Sequence, residues 1–159
     1  MPDDLYEDAL AWSEQQADLL RRLVAGERVN AELDWPNIIE EIQDVGLSEL
    51  HAVQSLLARA LEHLLKAYGW PDGSVAHWKR EIRAFLSDAS RRVSPSMRLR
   101  LGLPDLYERA RLLVAADDLD GHPPRPLPET CPFTVEDLFV TGKAPPDVDA
   151  LLAKLAASP

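Results

Sequence analysis

The chain has 159 residues and a mass of 17.7 kDa, with 46% hydrophobic and 28% charged residues, a size and balance that suit one domain with a substantial core. Its 17 Lys and Arg against 27 Asp and Glu leave a net charge of −10, which argues against binding of nucleic acid or of anionic membranes by the chain as a whole. The single cysteine permits neither an intramolecular disulfide nor a Cys-rich metal site, no run reaches the ~18 apolar residues of a membrane span, and the acidic start Met1-Pro2-Asp3-Asp4 lacks the basic and apolar regions of a signal peptide, so a cytoplasmic location is expected.

Apolar spacing is helical throughout, without the alternation of strands. The first helix is expected over about residues 3–25, with Tyr6, Ala9, Trp12 or Ser13, Gln16, Leu20, Leu23 and Val24 on one face and Gly26 as its stop. Asp34-Trp35-Pro36 opens a second helix, Asp34 as cap and Pro36 in the first turn. Its apolar pattern runs from Ile38 to Tyr68 and ends at Gly69, about three times the mean helix length. Gly46 followed by Ser48 marks a place where it can kink or break. Trp70-Pro71-Asp72-Gly73 has the composition of a turn, and Ser74 caps a third helix with Val75, Trp78, Ile82, Phe85, Leu86, Ala89 and Val93 inward. Ser94-Pro95 restarts the chain. A shorter helix near 104–117 turns Leu106, Tyr107, Ala110, Leu113 and Val114 inward. Prolines 123, 124, 126, 128 and 132 then make an irregular arm, whose Leu127, Cys131 and Phe133 are placed to pack on the bundle. Thr134 to Asp137 reads as a capping-box variant before a short helix over 135–139, and Pro145-Pro146-Asp147 introduces a last helix over 148–156.

The fold class is therefore all-α: a helical bundle of three long helices and a shorter fourth over residues 1–118, with a proline-rich C-terminal arm and short helices over 119–159 packed on the same domain. Charge is uneven. Residues 1–67 carry 5 basic and 14 acidic side chains, residues 68–111 carry 9 and 5, and residues 112–159 carry 3 and 8. The basic middle segment neutralises its acidic neighbours within one bundle, or else offers a face to an anionic partner.

Several of these residues together resemble a bacterial family designated only as domain of unknown function twenty-nine. The resemblance rests on Tyr6 and Asp8 leading to Trp12 and Gln16, on Asn37-Ile38-Ile39-Glu40-Glu41-Ile42 with Gly46 and Glu49, and on His63-Leu64-Leu65-Lys66 with Trp78 and Ile82. The Ser94-Pro95-Ser96 restart and Leu127-Pro128 through Cys131-Pro132-Phe133-Thr134 complete it, over roughly residues 3–140. The turn Ala67-Tyr68-Gly69-Trp70-Pro71 departs from the family's usual aromatic-and-proline turn. The resemblance implies an all-helical fold and carries over no activity and no catalytic residue.

Polar residues enter the apolar faces at a few positions. Ile42, Glu49, Leu56 and His63 are seven apart and fall on one seam of the second helix, and Gln16 sits on the stripe of the first. Buried polar groups need partners. Antiparallel register sets Gln16, with Trp12 a turn away, opposite 45–49. The same argument sets Glu49 near Val93 with Arg92 in reach, and His63 near 78–82. Trp12, Gln16, Glu49, His63, Trp78 and Arg92 are thus the candidate polar-layer or ligand-site residues, with structural hydrogen-bonded layers as the plainer reading. Glu49 and His63 lie about 21 Å apart along a continuous helix, so one catalytic centre is not expected. Glu40, Glu41, Asp44 and His51 lack the Glu-x-x-His pairs of di-iron bundles, Cys131 reads as a packed hydrophobe, and no cofactor or metal is expected. The sequence favours a non-catalytic module, binding another protein or itself, over an enzyme or small-ligand binder using the layer around Gln16, Glu49 and His63. Nucleic-acid binding through Arg80, Arg83, Arg91, Arg92, Arg98 and Arg100 would need those side chains clustered outward against the net charge.

Overall fold

Asp8 accepts the backbone N–H of Ala11 at 2.9 Å and starts the first helix, α1 (Ala9–Val24), in a computed structural model that describes residues 7–158. Tyr6, Asp4 and the start expected near residue 3 lie outside the described residues. The helix ends where expected. Gly26 adopts φ +93°, a left-handed conformation open to glycine. A 3₁₀ turn (Asn30–Glu32) leads into α2 (Trp35–Gly69), which runs 35 residues through Gly46 without a break. Then follow α3 (Val75–Arg92), α4 (Pro95–Arg98), α5 (Leu103–Ala115), α6 (Val135–Leu138) and α7 (Val148–Ala157). The described residues form no strand; Leu119 and His122 make an isolated bridge.

Local chemistry explains the short elements. Ser94 Oγ accepts from Met97 N–H and Pro95 occupies the first turn of α4. Thr134 and Asp137 form a reciprocal capping box on α6, and Asp147 caps α7. Ser74 precedes α3 without capping it through its side chain.

The chain forms two compact units, Met1–Ser48 and Glu49–Pro159, with the boundary inside α2. In the first, Trp12 and Leu19 pack with Val29, Leu33 and Ile38, flanked by Leu20 and Leu23. Leu19, absent from the expected stripe, is buried, whereas Val24 is exposed.

The second unit holds the larger core. Leu50, Val53, Leu57, Ala60, Leu61, Leu64 and Leu65 of α2 are buried with Trp78, Ile82, Leu86 and Ala89 of α3 and Leu103, Tyr107, Ala110 and Val114 of α5. Leu113, expected inward, is 65% exposed. The proline-rich arm is held at named points. Tyr107 OH donates to Pro128 O at 2.8 Å, Trp70 Nε1 donates to His122 O at 2.9 Å, and Arg125 N–H donates to Gly69 O at 3.0 Å. Gly69 is required there, because a Cβ would sit 2.8 Å from Pro124 Cβ. Val140 N–H donates to Ser90 Oγ, and Lys79 pairs with Asp149, so 119–158 pack in the same unit as α3 and α5.

The seam expected through Ile42, Glu49, Leu56 and His63 is not the buried line of α2. Ile42 is 68% exposed, the Glu49 side chain is 53% exposed, and Leu56 and His63 are half-buried. The buried line passes through Leu50, Val53, Leu57, Leu61 and Leu64. At about 100° per residue, positions 49, 56 and 63 lie roughly 100° away from it, at its edge.

Candidate functional site

Of the six residues expected in a polar layer, Trp12 and Gln16 meet at Asp34, and Glu49 and Arg92 pair separately at the surface. Trp12 Nε1 donates to Asp34 Oδ2 at 3.1 Å, Asn37 Nδ2 donates to the same oxygen at 2.7 Å, and the Asp34 backbone N–H donates to Gln16 Oε1 at 2.8 Å. Gln16 is the buried polar residue of the described chain, at 6% exposure. The Asn37 hydrogen bond first, helped by Trp12, holds the Asp34 carboxyl below the ordinary carboxylate range. A carboxylate so stabilised is a weak base. The cluster ties α1 to the start of α2 and offers no reacting group. Sequence reading saw Asp34 only as a cap; Asn37, three residues on, was a local signal for its wider role.

The expected Gln16–Glu49–Arg92 network does not form. The Gln16 oxygen is taken by Asp34 in the first unit. Glu49 belongs to the second, where its carboxylate lies 3.7 Å from Arg92 with both side chains about half exposed. This is a surface pair, worth little to stability. His63 Nδ1 lies 2.8 Å from Arg59 O, which as a carbonyl can only accept, and the ring packs edge-on against Phe85 at 5.5 Å, one turn past the 78–82 expected. Trp78 is a core residue, tilted against Trp70 at 6.4 Å, with its ring so close to Gly73 that a Cβ there would meet it at 2.9 Å. Glu62 pairs with Lys66 on its own helix, and Lys79 with Asp149.

Clefts open on the second unit, among its described residues. One of about 290 Å³ is lined by Ser55, Leu56, Arg59, Asp88 and Arg92, and one of about 380 Å³ by His51, Arg59, Glu62, Leu106, Arg109 and Leu113. A third, of about 300 Å³, lies at the Trp70–Gly73 turn. In the first, Arg92 already faces Glu49, and Asp88 pairs with Arg91. Cys131 is half-buried, its thiol pushed up by burial and its Sγ 3.7 Å from Phe133 O, the opposite of an activated nucleophile. Among the described residues no three His, Cys, Asp or Glu side chains converge where a metal ion would be held.

On the first half of α2 apolar residues that the helical periodicity predicts to face a core are exposed. Ile39, Ile42 and Val45 are 54%, 68% and 69% exposed, and Trp35, one turn earlier, is 36% exposed. Their spacing of three and four puts all four on one stripe. Residues 39–46 are exposed on every side of the helix, and Glu40, Glu41 and Asp44 beside the stripe form no ion pair with any described residue. Contiguous apolar surface rimmed by polar residues is found at interaction sites, at ligand grooves and at aggregation-prone surfaces.

No curated protein matches the chain. A crystal structure of an α-helical protein of unknown function from Rhodospirillum rubrum ATCC 11170, at 1.45 Å resolution, is similar over 98% of each chain, with 25% identity and a TM-score of 0.67. The family model described as Domain of unknown function DUF29 matches residues 5–141. With the bundle and its proline-rich arm both inside that span, the chain belongs to the DUF29 family.

Proposed function

We propose that this chain is a non-catalytic protein-interaction module that docks a partner on the stripe Trp35, Ile39, Ile42 and Val45 of α2. The observation that carries the reading is the exposure of Ile42 and Val45, both above two thirds, in the first half of a helix whose second half buries Leu50, Val53, Leu57, Leu61, Leu64 and Leu65. The polar candidates support it by elimination. Trp12 and Gln16 are consumed in holding Asp34, His63 rests on a main-chain carbonyl and a phenyl edge, and Glu49 with Arg92 is a surface pair.

The test is photo-crosslinking in cells of the native host, with a photoreactive amino acid at position 42 or, as control, at Glu14 on the exposed side of α1. A discrete adduct is expected from position 42, absent from position 14 and lost when Ile39 and Val45 are changed to Asp. Identical patterns from the two positions, or an adduct indifferent to Ile39→Asp and Val45→Asp, would overturn the reading.

A further inference from the structure

We infer that the occupant of this face is a basic amphipathic helix of another protein; the inference rests on the interaction reading and names the chemistry of the partner. Charge carries it. Residues 1–48 hold 12 acidic and 3 basic side chains, a net of −9 that accounts for nearly all of the −10 of the whole chain. None of the three basic residues lies on α2: Arg21 and Arg22 lie in the last turn of α1, with Arg22 paired to Glu27, and Arg28 lies in the loop seven residues before Trp35. On α2 itself Glu41 borders Val45 at a spacing of four, with Glu40 and Asp44 behind it. The apolar stripe therefore lies in a negative field with no neutralising side chain on its own segment of helix.

A second copy of the chain fits this face poorly. Packing the stripe against itself would set each copy's acidic flank near the other's, and like charges facing across an interface are disfavoured. A helix with apolar residues at i, i+3 or i+4 and i+7 and with Lys or Arg on its flanks satisfies both features at once. The reach of the site is short. From Trp35 to Val45 the stripe runs about 15 Å, three turns of a partner helix. An interface of that size is of the weak, transient class, so attraction between opposite charges has a large share in forming it.

The experiment measures binding of the full-length protein to four labelled synthetic peptides by fluorescence anisotropy, at low and at high salt. One has leucines at helical spacing and Lys elsewhere, two keep the leucines with Gln or Glu in place of Lys, and the fourth scrambles the Lys peptide. The Lys peptide is expected to bind, more weakly at high salt and not to Ile42→Asp. Combined Glu40→Lys, Glu41→Lys and Asp44→Lys changes are expected to weaken it at least about tenfold. All these positions are exposed, and circular dichroism confirms that the variants remain helical. If the Gln and Glu peptides bind as tightly as the Lys peptide, the basic partner is overturned and the docking face stands. If the scrambled peptide binds as well as the ordered one, the attraction is that of a polyelectrolyte and the helix is overturned. Sedimentation showing a dimer of the chain that Ile42→Asp dissolves would make the occupant a second copy. If no peptide binds and crosslinking from position 42 fails as well, the interaction reading falls with the inference.

Discussion

Replacing Ile42 and Leu57 by alanine, one at a time, separates the exposed half of α2 from the buried half. Full burial of an isoleucine or leucine side chain contributes about 1.5–3 kcal/mol. Ile42 is 68% exposed, so truncation removes about a third of that, roughly 0.5–1 kcal/mol. Alanine's higher helix propensity returns about half a kcal/mol. The net change is therefore within about 0.5 kcal/mol of zero. Leu57 is fully buried among the residues of the main core, and its truncation costs about 2–5 kcal/mol, because a cavity is added to the lost transfer energy. At about 2–4 °C of melting temperature per kcal/mol for a chain of this size, Ile42→Ala shifts Tm by no more than about 2 °C and Leu57→Ala by on the order of 5–15 °C. Thermal and urea unfolding followed by far-UV circular dichroism gives the global transition. Tryptophan fluorescence reports on each unit, since Trp12 and Trp35 lie in the first and Trp70 and Trp78 in the second. A loss for Ile42→Ala as large as that for Leu57→Ala would show the stripe covered within the isolated protein and would refute the docking face together with the register of α2.

Four further outcomes follow from single contacts. Gln16→Ala removes the acceptor for the Asp34 N–H and a buried side chain, and a loss of about 1–3 kcal/mol is expected in urea unfolding; a neutral result would contradict the structural role of the Asp34 cluster. Glu49→Ala is expected to cost less than about 0.5 kcal/mol, and Arg92→Ala to add to it independently, as for an exposed pair at 3.7 Å; a loss of several kcal/mol would restore the buried network that the sequence suggested. Tyr107→Phe keeps the edge-on packing against Phe133 but strands the Pro128 carbonyl, so calorimetry is expected to show a loss of about 1–3 kcal/mol. Asp137 is held below the ordinary carboxylate range, first by the Lys154 hydrogen bond and then by the Thr134 backbone, so its folded pKa lies below its unfolded one. Its stabilisation is complete above the unfolded value of about 4 and is lost as pH falls through the folded one. Asp137→Asn is thus expected to be less stable than the parent at neutral pH, with the gap closing below about pH 4; a gap that widens in acid would reverse the sign of the argument.

What was legible in the sequence is what is fixed within a few residues. Gly26 as a stop, Ser94-Pro95 as a restart and Thr134 with Asp137 as a capping box are local hydrogen-bond chemistry, and each is found where its residues stand. The buried face of α3 is likewise a single stripe with nothing to compete with it. The second helix was harder, because its apolar face continues along most of its length while only part of it is covered. Ile39 lies five whole turns before Leu57 at about 100° per residue, yet Ile39 is exposed and Leu57 buried. Periodicity says which residues share a face, not how much of that face meets protein. The Asp34 cluster was hidden for a different reason. Its Trp12 donor lies 22 residues away, and nothing local distinguishes a tryptophan that reaches a carboxylate from one that fills a core.

The helix itself does not require the apolar stripe. Isolated helices of three turns are marginal in water, but residues 39–49 need no nucleation, because Ile38 before them and Leu50 after them are buried within continuous helix. For such a segment the best surface residues are Ala, Glu, Lys or Gln. Ile39, Ile42 and Val45 are β-branched, lose side-chain freedom in a helix and leave apolar surface in water. A single exposed leucine, such as Leu99, needs no explanation. Three β-branched residues in a row at helical spacing are poorer helix formers than Ala, Glu, Lys or Gln, and their partial burial, about 0.5–1 kcal/mol at Ile42, does little more than offset this in the free protein. Under the proposed docking, a partner covering the stripe would remove this apolar surface from water, a gain that these residues do not provide in the free protein.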